Sequence, residues 1–434
     1  MTTIKKPKKQ KLRNAEYYDL QATFDKLYLE SKNGKTFTKI MPIILSENNI
    51  RLAYRNLKRN SGSKTAGTDH KTIKDLETWK EPDLVRYVRK RLEWYIPQPV
   101  RRVEIAKDNG KTRPLGIPTI QDRLIQQCFL QVLEPICEAK FHDRSFGFRP
   151  NRSQENAVAV AYSLMQIQHL HFVVDLDIKG FFDNVSHGKL LRQMWSLGIR
   201  DKTVLSILSA MLKAEVAGIG FPEKGTPQGG IISPLLSNIV LNELDWWISS
   251  QWETMPMRKN YVRTRKDNGV AEKTYAYKVL REKSRLKECF GLRYADDFRI
   301  FCRRRQDAEK LFIATQKWLK ERLGLDISPE KSQIVNLKRK YSEFLGFKMM
   351  VKPNGKTGSK TRYTVVSHIS EKRKGKIKKR ASELVAKIKF PADKFEEHKF
   401  IMDYNSYVMG IHNYYSMATH ANQDFSEIGF SVKR

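Results

Sequence analysis

Cysteine is scarce in this chain. The 434 residues hold four, Cys128, Cys137, Cys289 and Cys302, and none forms a C-x-x-C pair. That spacing gives neither a zinc ribbon nor a disulfide framework, and it fits a reducing compartment. Long apolar runs are also missing. No stretch approaches 18 residues, so nothing reads as a membrane span. The N-terminus lacks the apolar core of a signal peptide. A phosphate-cradling P-loop is absent as well. Gly-Lys-Thr triplets begin at Gly34, Gly110 and Gly355, but the positions that need the first glycine hold Leu29, Ile105 and Met350. His412-Asn413 has no second His or Cys set to make a nuclease motif, and no internal repeat occurs. Acids are the scarcer charge: 47 Asp and Glu face 81 Lys and Arg, a formal net charge of +34. Such an excess is matched best by nucleic-acid phosphate. The 7 Trp, 17 Tyr and 21 Phe imply a packed interior and argue against a disordered basic protein. The length suits about two or three domains.

Along the chain, residues 1–13 form a basic tail, which reads as a solvated arm or as an arm lying on phosphates. Helical patterning begins near Asn14. The Gly-, Ser- and Lys-rich stretch Arg59–Asp69 reads as a loop before a helix from about Leu76 to Trp94. Val100–Ile105 and Arg113–Ile117 read as strands joined by a turn at Lys107–Lys111. Asp122–Glu134 is helical, Phe172–Ile178 is a buried strand, and Lys189–Leu212 reads as one helix. Ser233–Ile248 is a helix with Ser233 as N-cap and Pro234 at its first position. Ser249–Phe290 reads as a basic insertion with little periodicity, either contacting RNA or solvated. Leu292–Cys302 alternates like a strand, Ala308–Leu323 is helical and Tyr341–Met349 is a strand. From the basic run Lys372–Arg380 onward the pattern is helical to about Tyr415.

Against so basic a background the acids carry the information. Asp175 and Asp177 interrupt Val173-Val174-Asp175-Leu176-Asp177-Ile178, where an unpaired carboxylate is costly to bury. Two apart on a strand, they share a face. Tyr294-Ala295-Asp296-Asp297-Phe298 reads as the tight turn of a hairpin. Adjacent strand residues point to opposite sides, so if hairpin and strand are neighbours, Asp177 and one of the Asp296/Asp297 pair converge. Taken alone, the pair is also what a solvated turn looks like. Converging carboxylates suit two Mg2+ ions, which take oxygen ligands and can serve an attacking 3′-hydroxyl and a leaving pyrophosphate.

With these residues in hand the chain resembles the group II intron-encoded reverse transcriptases, or maturases, of bacteria. The resemblance rests on six motifs in order. They are Arg113-Pro114-Leu115-Gly116-Ile117-Pro118 with Asp122-Arg123, and Ser145-Phe146-Gly147-Phe148-Arg149-Pro150. Asp177 to Phe182 follows, then Gly225-Thr226-Pro227-Gln228-Gly229-Gly230. Tyr294-Ala295-Asp296-Asp297 and Phe344-Leu345-Gly346-Phe347 complete the series.

The resemblance implies an α+β right-hand polymerase with fingers, a palm of antiparallel sheet and flanking helices, and an α-helical thumb. On this sequence that means an N-terminal extension and fingers over 14–170, a palm over 171–368 interrupted by the insertion at 249–290, and a thumb over 369–434. It implies copying of RNA into DNA from dNTPs with two Mg2+ ions, or Mn2+ in their place. An RNA template, a DNA primer and structured intron RNA would be partners, and the setting would be bacterial cytoplasm without membrane attachment. Asp177, Ile178, Asp296 and Asp297 match the metal-binding positions, and Asp297 is the weaker match. Lys107 and Arg113 match residues that clamp the triphosphate. Phe182 matches an aromatic gate against the ribose 2′-hydroxyl, and Gln228 and Gly229 match a loop that packs on nucleotide and template. Lys331 matches a position proposed to protonate pyrophosphate, where a solvated lysine is the other reading. Leu345 and Gly346 match the primer grip, and Arg59–Asp69 a template-lidding loop. Many relatives continue into a DNA-binding region and an endonuclease, and neither shows in this sequence. Two other functions compete: a splicing cofactor that binds RNA without polymerising, and a domesticated or defence-related reverse transcriptase. The sequence does not fix the oligomeric state.

Overall fold

A computed structural model describes residues 13–106, 112–265, 269 and 271–433. The strands in chain order are β1 (Arg101–Ala106), β2 (Thr112–Ile117), β3 (Phe172–Leu176), β4 (Arg263–Thr264), β5 (Ala271–Glu272) and β6 (Cys289–Tyr294). They continue as β7 (Asp297–Cys302), β8 (Gln333–Asn336), β9 (Ser342–Phe344), β10 (Phe347–Thr357) and β11 (Lys360–Ile369). The chain divides into two compact units. One holds residues up to His142 with Lys179–Glu243 and Leu319–Leu325, and the other Asp143–Ile178, Leu244–Trp318 and the chain from Asp326.

The first unit is helical around Ile120–Glu138, which is buried on nearly every side. Thr119 caps that helix by accepting from the Asp122 N–H. Its polar residues are matched by buried partners. Asn49 donates to the Cys128 carbonyl at 3.1 Å, and Gln131 donates to the Asn49 side chain and carbonyl, each at 2.6 Å. Arg123 donates to the Gly62 and Thr65 carbonyls at 2.7 and 2.5 Å, which ties the loop Arg59–Asp69 to this helix. The hairpin β1–β2 pairs Arg101 with Ile117 through Ala106 with Thr112. Two helices expected to be continuous are broken. Pro82 starts a separate helix at Glu81. Gly198, at φ +105°, ends His187–Ser196, and Asp201 caps Lys202–Leu212 while also accepting from the Ile40 and Met41 N–H groups.

The same central helix holds an acid with no role in the site below. Burial, and then the charge of Glu138, push the Glu134 carboxyl up to about 7. A carboxyl raised in the folded state favours folding when protonated, and that contribution is lost as pH rises from the unfolded value toward 7. Glu134→Gln is neutral throughout. It should raise the melting temperature at pH 8 by the equivalent of about 1–3 kcal/mol and change little at pH 4. Equal effects at both pH values in thermal melts would contradict this.

The second unit is built on an antiparallel four-stranded sheet in the order β6-β7-β3-β8. Val173, Val174, Leu176, Phe298, Ile300 and Phe301 are buried within it, and the helix Arg305–Trp318 packs across β3, β7 and β8. A three-stranded sheet, β11-β10-β9, is followed by helices Glu371–Lys389, Lys394–Tyr415 and Ala421–Lys433. Two expectations change here. Tyr341–Met349 is not one strand: it turns at Leu345-Gly346, both at positive φ, between β9 and β10. Ser249–Phe290 is ordered through much of its length. It forms a helix over Thr274–Lys283 with Ala276 and Leu280 buried, and a fully buried Trp252 stacks on Tyr277. Aromatic anchors hold this segment, a signal that helical periodicity does not register.

Candidate active site

The acidic residues meet in the second unit because β3 lies beside β7. The register sets Asp175 opposite Arg299 and Leu176 opposite Phe298. Tyr294 pairs with Asp297, so Ala295 and Asp296 alone make the hairpin turn. Ala295 sits at φ +58°, a conformation that non-glycine residues visit rarely. The turn is over-determined by its surroundings. Arg293, 1% exposed, donates from Nε to both Asp245 oxygens at 2.9 and 3.0 Å and from Nη2 to Oδ2 at 2.7 Å. Its Nη1 donates to the Ala295 carbonyl at 2.7 Å. The Ser145–Pro150 motif closes from the other side. The Phe146 N–H donates to the Arg293 carbonyl at 2.9 Å, and a Cβ on Gly147 would stand 2.2 Å from the Ala295 nitrogen. Only glycine fits there.

Arg299 joins the acids of one sheet face. Its Nη1 lies 2.5 Å from Asp175 and 2.6 Å from Asp297, and its Nη2 donates to the Glu343 carbonyl at 2.6 Å. Burial pushes the Asp175 carboxyl up to about 6, opposed by Arg299 and reinforced by the charges of Asp297 and Asp177. Asp297 is raised for the same first reason, with Arg299 lowering it and Asp296 and Asp177 raising it. Its side chain keeps 38% exposure, so its tip reaches solvent from a largely enclosed position. Asp177 follows the end of β3. The Ser328 N–H donates to its carbonyl at 2.7 Å, and Lys331 Nζ lies 3.0 Å from Oδ2. Ile178 bridges to Ile327, and its carbonyl accepts no hydrogen bond among the described residues.

Among the described residues no three acid, His or Cys side chains converge closely enough to hold a metal ion. The reason is visible: Lys331 holds Asp177, and Arg299 holds Asp297 and Asp175. The donor set still fits a hard divalent cation. The charges of Asp177 and Asp296 both reach Asp297, raising its pKa, and the Ile178 carbonyl has no donor among the described residues. Such a cation would relieve the repulsion that the two existing cations now offset.

Arg113, Phe182, Gln228 and Gly229 lie in the first unit. Arg113 Nε donates to Gln228 Oε1 at 2.7 Å, and the Gly116 N–H donates to the Gln228 carbonyl at 3.0 Å. Gly229, at φ +138°, passes so close that a Cβ would stand 2.6 Å from the Gly116 carbonyl oxygen. Phe182 is 9% exposed, its ring set edge-on to Phe181, and its carbonyl accepts from the Thr226 N–H at 2.7 Å. Lys107 lies outside the described residues. Leu345 and Gly346 form the β9–β10 turn, with the Leu345 carbonyl accepting from the Tyr414 hydroxyl at 3.0 Å. The sequence reading missed Arg293, Asp245 and Arg299. The available signal was Arg293 and Arg299 lying among the apolar residues on either side of Asp296-Asp297 in the stretch 289–302.

Residues 105–349 match the family described as reverse transcriptase (RNA-dependent DNA polymerase). The group II intron-encoded protein LtrA of Lactococcus lactis subsp. cremoris is 30% identical, over 91% of this chain and 74% of that protein. Protein YkfC of Escherichia coli (strain K12) is 34% identical, over 59% of this chain and 68% of that protein. The putative COX1/OXI3 intron 2 protein of Saccharomyces cerevisiae is 27% identical, over 75% of this chain and 41% of that protein.

Proposed function

The chain belongs to the reverse transcriptases of the group II intron-encoded kind, and on that premise we propose that it is an active RNA-directed DNA polymerase that also binds its intron RNA and assists splicing. The observation that carries the catalytic half is the acidic cluster of β3 and the β6–β7 turn, kept intact in a chain of net charge +34. A protein that only binds RNA gains nothing from gathering carboxylates where it must attract a polyanion. In the right-hand description, the sheet β6-β7-β3-β8 is the palm, β1–β2 belongs to the fingers and the helices after β11 make the thumb. No helix among the described residues is long and apolar enough to cross a membrane.

Asp177, Asp296, Asp297 and the Ile178 carbonyl would hold two Mg2+ ions. Bound there, the ions would lower the cost of forming a 3′-alkoxide and of releasing pyrophosphate. The protein's own part is positioning. The Arg293–Asp245 pair and Gly147 fix the turn that carries Asp296. Lys331, 3.0 Å from Asp177, would give a proton to the departing pyrophosphate. Arg113 offers a planar fork to a triphosphate, with Gln228 already orienting its Nε. Phe182 presents a rigid ring against which a ribose 2′-hydroxyl would clash. Primer extension on an RNA template with dNTPs and Mg2+, run beside a binding assay on structured intron RNA, tests this reading. Tight RNA binding without extension under any divalent cation would favour the splicing cofactor instead.

Two expectations concern the nucleotide. Phe182→Ala should raise rNTP incorporation relative to dNTP by about tenfold or more, the scale of one lost steric contact at a sugar. Unchanged discrimination in competitive single-nucleotide incorporation would make Phe182 an ordinary core residue. Arg113→Ala should raise the KM for dNTP and lower kcat, together costing about 2–4 kcal/mol of transition-state stabilisation as charge develops on the leaving group. An effect limited to RNA affinity, with nucleotide kinetics intact, would move Arg113 to the template track.

A further inference from the structure

The acids of the candidate site stand at one end of the sheet β6-β7-β3-β8, and a basic face stands at the other. Asp177 follows the last residue of β3. Strand β8 runs antiparallel to β3, pairing Asp175 with Gln333 and Phe172 with Asn336, and the Leu337 N–H donates to the His171 carbonyl at 2.9 Å. Lys338-Arg339-Lys340 therefore leaves the sheet at the Phe172 end, about 20 Å from Asp177 at the rise of a strand. The Val351 N–H donates to the Leu337 carbonyl at 2.9 Å, which sets β10 beside that turn. From Lys352 onward β10 and β11 pair only with each other, and Lys352–Ser359 is exposed throughout. They form a two-stranded ribbon that reaches roughly 20 Å to the turn at Gly358-Ser359.

Charge on this face is one-sided. Residues 331–370 hold nine Lys and Arg and one acid, Glu343. Lys338, Arg339, Lys340, Lys352, Lys356 and Arg362 are all exposed, and none makes an ion pair among the described residues. Neighbouring cations, by contrast, are taken: Lys348 by Glu371, Lys374 by Asp424 at 2.7 Å and Lys378 by Glu427 at 2.9 Å. The Lys338 ammonium lies 4.4 Å from the centre of the Tyr363 ring, which ties the turn to the ribbon without neutralising it. Lys352 pairs with Thr364 and Lys356 with Thr361, on either side of a bulge. Alternation then puts Lys352 and Arg362 on one face of the ribbon, and Lys356 on the other with Tyr363. Lysines and Pro353 along a ribbon edge also keep it from pairing with foreign strands. That role needs no cations on the Lys338–Lys340 turn, which lies outside the ribbon.

We propose that the ribbon and the Lys338–Lys340 turn together form a docking surface for the phosphate backbones of double-helical RNA, a stem of the structured intron RNA. The assignment to intron RNA rests on the reading that the chain binds it. Cations on both faces of the ribbon can meet phosphates on two sides of it. Such contacts depend on charge and on the shape of an A-form helix, and they carry no sequence information. The strand being copied is not the partner, because this face lies at the end of the sheet away from Asp177.

The test compares wild type with two triple variants, Lys352→Ala/Lys356→Ala/Arg362→Ala and Lys338→Ala/Arg339→Ala/Lys340→Ala. Two probes are followed by fluorescence anisotropy over a salt series. One is an RNA hairpin of about 20 base pairs, long enough to present two successive minor grooves. The other is a DNA primer annealed to an RNA template. Each variant should bind the hairpin about tenfold or more weakly near 0.1 M salt, with a log–log slope shallower by about 2–3, close to one per lost phosphate contact. Affinity for the primer–template, the rate of extension on it and the melting temperature should stay near wild-type values. Wild-type hairpin affinity and slope in both variants would overturn the proposal and leave these cations as edge protection. Equal losses on hairpin and primer–template would overturn it as well, by placing the face on the path of the copied strand. Structured intron RNA is titrated into the wild type in parallel. Absence of salt-dependent affinity there would remove the intron-binding reading and the intron assignment with it. Intact wild-type affinity with both variants unchanged would remove this docking surface alone.

Discussion

Arg293→Ala should be among the most destabilising single substitutions in the second unit, by about 3–5 kcal/mol, because it leaves a buried carboxylate without its charge partner. Asp245 is 9% exposed and receives three hydrogen bonds from Arg293, so its charge has no route to water once the guanidinium is gone. The melting temperature should fall by roughly 10 °C. Asp245→Ala should cost a similar amount by leaving the buried Arg293 guanidinium without its carboxylate. The paired replacement Arg293→Met with Asp245→Leu removes both charges together and should recover much of that stability, since a buried ion pair contributes little beyond an apolar pair of similar volume. Activity should not recover with it. The Ala295 carbonyl still lacks its donor, and the turn carrying Asp296 loses the contact that sets its direction. Recovery of stability and activity together would show that the pair serves folding alone.

The larger effect on chemistry is expected from Asp177→Asn and Asp296→Asn. Each keeps the size of the side chain and removes the charge needed to bind a divalent cation. Primer extension should fall by at least about 10³-fold, because the two-metal mechanism depends on those ligands. RNA affinity should hardly change, since it rests on the 81 Lys and Arg residues spread over the chain. Folding should survive too, because Asp177 is 42% exposed and its Lys331 partner 56%, and exposed pairs contribute little to stability. Asp297→Asn is less clear-cut in its source of loss. Its carboxylate also touches Arg299, which holds Asp175 as well. Asp297→Asn therefore removes a partner of Arg299 as well as a metal-binding candidate, and its effect should appear in thermal melts as well as in extension rates.

Much of this site could be read in the sequence, for a physical reason. Acids are expensive in an apolar strand, so Asp175 and Asp177 stand out in Val173–Ile178, and Tyr294–Phe298 reads as a turn because apolar alternation continues on both sides of it. Strand β3 and the β6–β7 hairpin follow from that local pattern. What stayed hidden depends on residues far apart in the chain. Arg293 and Asp245 are separated by 48 positions, and neither signals the other. Lys331 reaches Asp177 across 154. Helix breaks were missed where one residue overrides the periodicity around it, as Gly198 does at φ +105°. The Leu345-Gly346 turn was hidden because Leu345 adopts a conformation its side chain disfavours, held there by Tyr414 from a helix 69 residues onward. Trp252 and Tyr277 show the converse. They order a segment whose charge pattern alone reads as an RNA contact or as solvated surface.

The most direct measurement is single-turnover addition of one deoxynucleotide to a DNA primer on an RNA template as Mg2+ is titrated, with wild type and Asp296→Asn side by side. The wild type should extend nothing in chelator and rise to a plateau as Mg2+ saturates. Asp296→Asn, bound equally well to the same RNA, should stay flat at every concentration. Equal plateaus in the two proteins, or extension by the wild type in chelator, would contradict the assignment of the Asp177 and Asp296 carboxylates as the metal-holding centre of an RNA-directed DNA polymerase.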